Sequence, residues 1–203
     1  MGGTPRPTST TECAVAAALQ GAKAAGARTV LFGGSYLAQL PLYLTPDSET
    51  AGLDLVEAVR GADGLVIASP GYHGTVSGLV KNALDYLEST AGDERPYLDG
   101  LPVGLIATAF GWQATGGVLT TLRAIVHSLR GWPTPYGAAI NVKAVAFADG
   151  HCADPEIVGQ LCRVGSQVTE QARLRLRDPL YRPLVDKQAR NKRLPKDAAR
   201  AAP

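Results

Sequence analysis

The residues with the clearest chemical potential lie in one stretch, Ser69-Pro70-Gly71-Tyr72-His73-Gly74-Thr75-Val76-Ser77-Gly78. Its three glycines let backbone come close to a flat ligand and aim amides at it. Tyr72 and His73 are hydrogen-bond donors there, and His73 is equally readable as a solvent-facing loop residue. The stretch starts where the apolar run from Gly64 to Ala68 stops at a proline. It ends in a segment of helical spacing, with Leu79, Ala83 and Leu87 on one stripe and Val80 and Leu84 beside it. A buried strand, a glycine-rich turn and a helix start, in that order, mark where open α/β sheets bind ligands. Lys81 and Asp85, four apart, read as a surface ion pair rather than a catalytic acid and base.

Two further groups have chemistry of their own. In Met1-Gly2-Gly3-Thr4-Pro5-Arg6-Pro7-Thr8-Ser9-Thr10-Thr11-Glu12, hydroxyls and a guanidinium precede an alanine-rich helix expected to run to Ala25, with Gly26 as its stop. Free amides, the positive dipole end and these side chains suit an anion such as a phosphate. Read alone, the segment is an ordinary capped helix, with Glu12 three residues after Ser9 as in a capping box. The third group, Ala109-Phe110-Gly111-Trp112-Gln113-Ala114-Thr115-Gly116-Gly117, is a second glycine-rich loop after a strand. Trp112 there is either a stacking wall or an interface anchor. Cys13 reads as a packed small hydrophobe, and His127 as a partly buried structural histidine.

Other classes find little support. Among 203 residues the net charge is +2, too small to argue for nucleic acid or a membrane surface. Three cysteines without a CxxC pair suggest neither a disulfide framework nor a zinc site, so the cytoplasm is the expected compartment. No apolar run approaches the ~20 residues of a membrane span. Hydrolase and NTPase motifs (G-x-S-x-G, HExxH, the Walker loop) do not occur.

The elements that must position these groups alternate in type. Strands are expected at Arg28–Phe32, Gly64–Ala68, Leu101–Thr108 and Ala138–Phe147. Helices are expected from Thr10, over Leu53–Arg60, after Gly78, over Val118–Arg130, and from Asp154 to about Arg177. Buried strands alternating with amphipathic helices predict a doubly wound α/β fold with a parallel sheet. The domain is expected to occupy residues 1–177, with 178–203 as a basic, flexible tail. Three ligand loops along one sheet edge would place a phosphate at the first and a flat ring across the other two.

Against that background, Pro70, Tyr72, Gly74, Gly78, Lys81, Asn82 and Asp85 reproduce the pattern Pro-x-Tyr-x-Gly, spacer, Gly-x-x-Lys-Asn-x-x-Asp. The stretch thereby resembles the NADPH-dependent FMN reductase family, which is flavodoxin-like with strand order 2-1-3-4-5. Gly3, Thr4, Arg6, Ser9 and Thr11 resemble that family's phosphate loop, and Thr108 to Gly117 its third element. By this resemblance Thr4, Arg6, Ser9, Thr10 and Thr11 hold the FMN phosphate. Pro70, Gly71, Tyr72, His73 and Gly74 line the isoalloxazine, and Thr108 with the residues after it, Gly111 among them, closes the other side. The resemblance implies hydride transfer from NADPH or NADH to the flavin N5, without a catalytic side chain or metal. Electrons then pass to a small-molecule acceptor, such as a quinone or azo dye, or as reduced flavin to a partner monooxygenase. It also implies a homodimer, while the charge and the lack of a long apolar run give the expectation of no nucleic-acid and no membrane partner. Other readings are a flavodoxin-type electron carrier and a flavin-binding regulatory protein.

One departure from the family pattern has an energetic consequence. The family has a strand before the phosphate loop, and this chain begins inside that loop. About four missing apolar side chains at roughly 1.5–3 kcal/mol each would remove ~6–12 kcal/mol, comparable to the ~5–15 kcal/mol stability of a whole domain. The expectation is therefore that Met1 is a mis-assigned start. A stable chain as written that binds FMN tightly would overturn it.

Overall fold

The computed structural model describes residues 1–143, 147–148 and 151–177. The expected tail, 178–203, lies outside the described residues. Helix α1 (Thr10–Ala24) opens on Ser9, whose Oγ accepts the Glu12 amide. Only this half of the capping box forms, because the Glu12 carboxylate turns away to accept the amide of Gly34 at 2.7 Å. Short helices α2 (Gly34–Leu37) and α3 (Ser48–Ala51) lead into α4 (Leu53–Gly61). Strand β1 (Leu65–Tyr72) turns into β2 (Thr75–Val76), and α5 (Gly78–Asp85) follows, extended by a 3-10 turn over Tyr86–Thr90. Then come β3 (Pro102–Ala109), α6 (Trp112–Ser128), β4 (Trp132–Pro133) and β5 (Ala138–Asn141). A small hairpin, β6 (Phe147–Ala148) with β7 (His151–Cys152), precedes the long α7 (Pro155–Arg177). Asp154 caps α7 by accepting the amides of Glu156 and Ile157.

The sheet is mostly parallel, with β1 against β3 and β3 against β5. Its alternating side chains feed two layers. Leu65, Ile67, Val103, Leu105 and Ala107 join α4, α5 and α6 on one side. Val66, Ala68, Ile106, Ala138 and Ile140 join α1 and α7 on the other. Glycines let α1 and α7 touch backbone to backbone: a Cβ on Gly165 would lie 1.8 Å from the Ala18 oxygen, and one on Gly21 would lie 2.1 Å from the Cys162 oxygen.

The expected strand at Arg28–Phe32 is not a strand. Gly2 alone separates it from β1, donating to the Phe32 carbonyl and bridging Ala68 in parallel. Residues before Phe32 thus have no ladder to join, and Val30 is 71% and Leu31 40% exposed. The row Phe32, Gly2, β1, β3, β5 still follows the expected 2-1-3-4-5 order. The Met1 α-amine donates to the Val66 carbonyl, and burial pushes its pKa down to about 5.

Two other boundaries and one burial differ. Helix α6 starts at Trp112 rather than Val118, so most of the supposed third loop is helix and Gly116 and Gly117 lie inside it. The last strand stops at Asn141, whose side-chain oxygen accepts the Lys143 amide in an Asx turn. His127 is exposed, because it lies opposite the buried stripe of Val118, Leu122 and Val126.

Candidate functional site

Register brings the three chemical groups to one edge. Gly2 bridges Ala68, Ala68 pairs Ile106, and Ile106 pairs Ala138. Two residues further on, Pro70 stands beside Thr108. The loops leaving Gly2, Pro70 and Thr108 therefore depart side by side, across three positions spaced ~5 Å apart. A buried hydroxyl pair locks the outer two together, with Thr11 Oγ1 and Thr108 Oγ1 2.6 Å apart. Whichever hydroxyl accepts in that pair keeps a proton free to donate elsewhere.

The first loop folds into a cup. Thr4 N donates to Ser9 Oγ at 3.2 Å, and Arg6 N donates to Thr4 Oγ1 at 3.3 Å. Thr8 sits in the left-handed region, φ 51, the kind of alternation that turns consecutive amides toward one point. Thr10 and Thr11, at the first two positions of α1, have amides with no intrahelical partner. Ser9 is buried, Thr4 and Thr10 are half-buried, and Arg6 is exposed. The Arg6 guanidinium has no partner among the described residues. Gly34 supports the loop from below, since a Cβ there would meet the Thr4 oxygen at 1.9 Å. Sequence reasoning missed Thr8 and Gly34, although a Gly-Gly directly after an apolar run is a legible hint of close backbone contact.

The supposed ring loop is a tight hairpin. Gly71 pairs Val76 and Tyr72 pairs Thr75, leaving His73 and Gly74 as a two-residue turn. Both have positive φ, 50 and 89, the signature of a type I′ turn that matches strand twist. Pro70 is buried in β1, Gly71 half-buried, Tyr72 51% exposed, and His73 and Gly74 exposed. Ser69 Oγ accepts the Ser77 amide at 2.9 Å, tying the hairpin's return to its start, and Ser77 Oγ caps α5. Beyond β3, Thr108 is buried, Gly111 is the N-cap of α6, and Phe110 and Trp112 are 75% and 62% exposed. A Cβ at Gly74 or Gly111 would meet nothing within 4 Å, so the space over both loops is open.

Convergent amides, hydroxyls and an unpaired guanidinium fit a phosphate monoester, and the open edge between hairpin and α6 fits a flat ring. Cys13, one turn into α1, is buried and its thiol is pushed up by desolvation, so it packs rather than reacts.

This is a flavodoxin-like arrangement of strands and loops, and comparison with known proteins agrees on the fold. The model of the NADPH-dependent FMN reductase family matches residues 1–145, and the chain belongs to that family. An FMN-dependent NADPH-azoreductase of Staphylococcus aureus is 42% identical over 82 residues, and the chain spans 40% of its length. Among solved structures, the flavoenzyme NAD(P)H:(acceptor) oxidoreductase from Paracoccus denitrificans superposes with a TM-score of 0.66 at 21% identity, covering 86% of this chain and 95% of the other. A flavodoxin, WrbA-like protein from Agrobacterium tumefaciens gives 0.57 at 15% identity, covering 85% and 95%. These likenesses in structure are likenesses of fold.

Proposed function

We propose that this protein is an NAD(P)H-dependent FMN oxidoreductase that reduces a small-molecule acceptor. The observation that carries the reading is the single edge shared by the loops after Gly2, Pro70 and Thr108, locked by the Thr11–Thr108 hydroxyl pair. FMN, when bound, supplies hydride acceptance from a nicotinamide and electron donation to the acceptor. The chain's own residues bind and orient. Thr4, Ser9, Thr10 and Thr11 would donate to the phosphate through amides and hydroxyls, and Arg6 would cover it with its guanidinium. Pro70, Gly71, Tyr72, His73 and Gly74 would present hairpin backbone to the ring, with Thr108 and Gly111 closing the site. Fixed donors of this kind need no rearrangement to stabilise added charge. No side chain is needed as nucleophile or acid. The acceptor is a quinone, an azo compound or free flavin destined for a monooxygenase, the setting is the cytoplasm, and the assembly is a homodimer. No helix among the described residues is long and apolar enough to cross a membrane.

The test is direct. Purified protein is examined for a flavin spectrum, and NADPH and NADH oxidation is followed with added FMN, a quinone or an azo dye. Flavin-dependent oxidation supports the reading. No flavin binding and no oxidation overturns it, and electron transfer only through a partner protein replaces it with a carrier.

A further inference from the structure

The candidate anion cup is built with a carboxylate fixed beside it. Glu12 stands in the first turn of α1 and is half-buried. Its amide belongs to the cup, donating to Ser9 Oγ at 3.3 Å. Its carboxylate does not close the capping box, and Oε2 accepts the Gly34 amide at 2.7 Å instead. The same oxygen lies against loop backbone on two sides, since a Cβ on Gly33 would come within 2.9 Å of it and one on Gly3 within 3.0 Å. Gly34, held by this bond, backs onto Thr4: a Cβ on it would lie 2.5 Å from the Thr4 amide nitrogen. One side chain thus joins the first turn of α1, the residue before Thr4 and the turn that supports Thr4.

The charge of that side chain is not neutralised. Among the described residues Glu12 has no ion-pair partner. It offsets the positive end of the helix dipole, which otherwise favours an anion there. Arg6 is the guanidinium of the cup and is exposed. Water and salt therefore screen its attraction more than they screen a half-buried, hydrogen-bonded carboxylate. A phosphate monoester brings about 1.5–2 further negative charges. We propose that Glu12 is a positioning residue of the anion cup whose acceptor oxygen fixes the cup's shape and whose charge weakens its hold on a phosphate, so that FMN exchanges with solution instead of staying bound through turnover. The two effects oppose each other: the bond to Gly34 orders the donors in advance, and the carboxylate repels the anion they receive. The identity of the ligand rests on the reductase reading, and the role of Glu12 at an anion does not.

Glu12→Gln separates the two effects, because its amide oxygen still accepts from Gly34 while the charge is gone. FMN and riboflavin are titrated into the full chain by fluorescence, and melting is followed with inorganic phosphate against chloride at equal ionic strength. Glu12→Gln should lower the FMN dissociation constant about tenfold, leave riboflavin unchanged and enlarge the rise in melting temperature that phosphate gives. A carboxylate that only stabilises its helix would shift melting without shifting the ratio of FMN to riboflavin affinity, and that result overturns the proposal. Weaker FMN binding by folded Glu12→Gln overturns it too. Glu12→Ala also removes the acceptor and should bind FMN more weakly than Glu12→Gln; equal affinities overturn the positioning role. The unaltered protein should release its FMN on gel filtration, and retention overturns the exchange. Should Glu12→Gln fail to fold, riboflavin 5′-sulfate, a tetrahedral ester with a single charge, is titrated into the unaltered protein. It should bind within about tenfold of FMN, and a larger preference for FMN overturns the opposing charge. No flavin binding by any of the proteins, with the phosphate effect still enlarged in Glu12→Gln, counts against the reductase reading alone; no effect of phosphate either overturns both.

Discussion

The Thr11–Thr108 hydroxyl pair offers the sharpest test of how the site is built. The two oxygens lie 2.6 Å apart, and the residues are 2% and 3% exposed. Thr108→Val removes one hydroxyl at nearly constant volume and leaves the other buried without this partner. The cost is the bond plus the desolvation of the orphan, together about 1–3 kcal/mol, and Thr11→Val should cost the same. The double variant removes both polar groups, so its cost should be well below the sum of the singles. For a chain of this size each kcal/mol lowers Tm by ~2–4 °C. Each single should therefore melt ~2–12 °C below the parent, and the double no lower than the worse single. Denaturant unfolding of all four proteins without flavin closes the cycle. Strict additivity, or a Thr108→Val protein as stable as the parent, would refute the clamp and with it the argument that the first and third loops are held as a unit.

Other outcomes follow from the same geometry. Arg6→Ala deletes a guanidinium without a protein partner, so stability should hold within about 0.5 kcal/mol while the FMN dissociation constant rises. The lost charged hydrogen bond is worth about 1.5–3 kcal/mol, or roughly 10–150-fold, read by fluorescence titration with FMN, and riboflavin should show no such loss. Gly165→Ala drives a Cβ to 1.8 Å from the Ala18 oxygen and should destabilise by at least about 1–3 kcal/mol. Gly159→Ala, on the same helix with nothing within 4 Å, should instead gain about 0.5–1 kcal/mol, and equal melting shifts for the two would refute the interhelical contact.

The legible parts of the chain were those with local signals. Ser9 before α1, Asp154-Pro155 before α7 and the stripe in α4 mark their helices, because caps and apolar spacing act within one or two turns. The three candidate groups are equally visible as local runs of glycines and hydroxyls. Their joining is not, since the Thr11–Thr108 bond spans 97 residues and depends on sheet register. Arg28–Phe32 has strand composition, yet a strand is defined by its neighbour, and Gly2 supplies a single residue of one. The start of α6 was hidden by Gly116 and Gly117, which read as loop residues but lie within the helix beneath the hairpin, where a Cβ on Gly117 would stand 3.7 Å from the Gly74 oxygen. The His73–Gly74 turn was obscured because β2 is only two residues long, too short for any alternation to show.

The contact between α1 and α7 changes how much of the chain the candidate site depends on. All three candidate loops lie within the first 117 residues, and the family match ends at residue 145. Yet the helix whose first turn carries Thr10 and Thr11 packs on the sheet side by side with α7, through backbone contacts at Gly21 and Gly165 and a Cys162 thiol donating to the Ala17 carbonyl. A fragment ending at residue 145 would contain every candidate ligand residue but would leave α1 bare along Ala18 and Gly21. Helix α7 is remote in sequence from the candidate anion loop, and it packs against the helix that this loop opens.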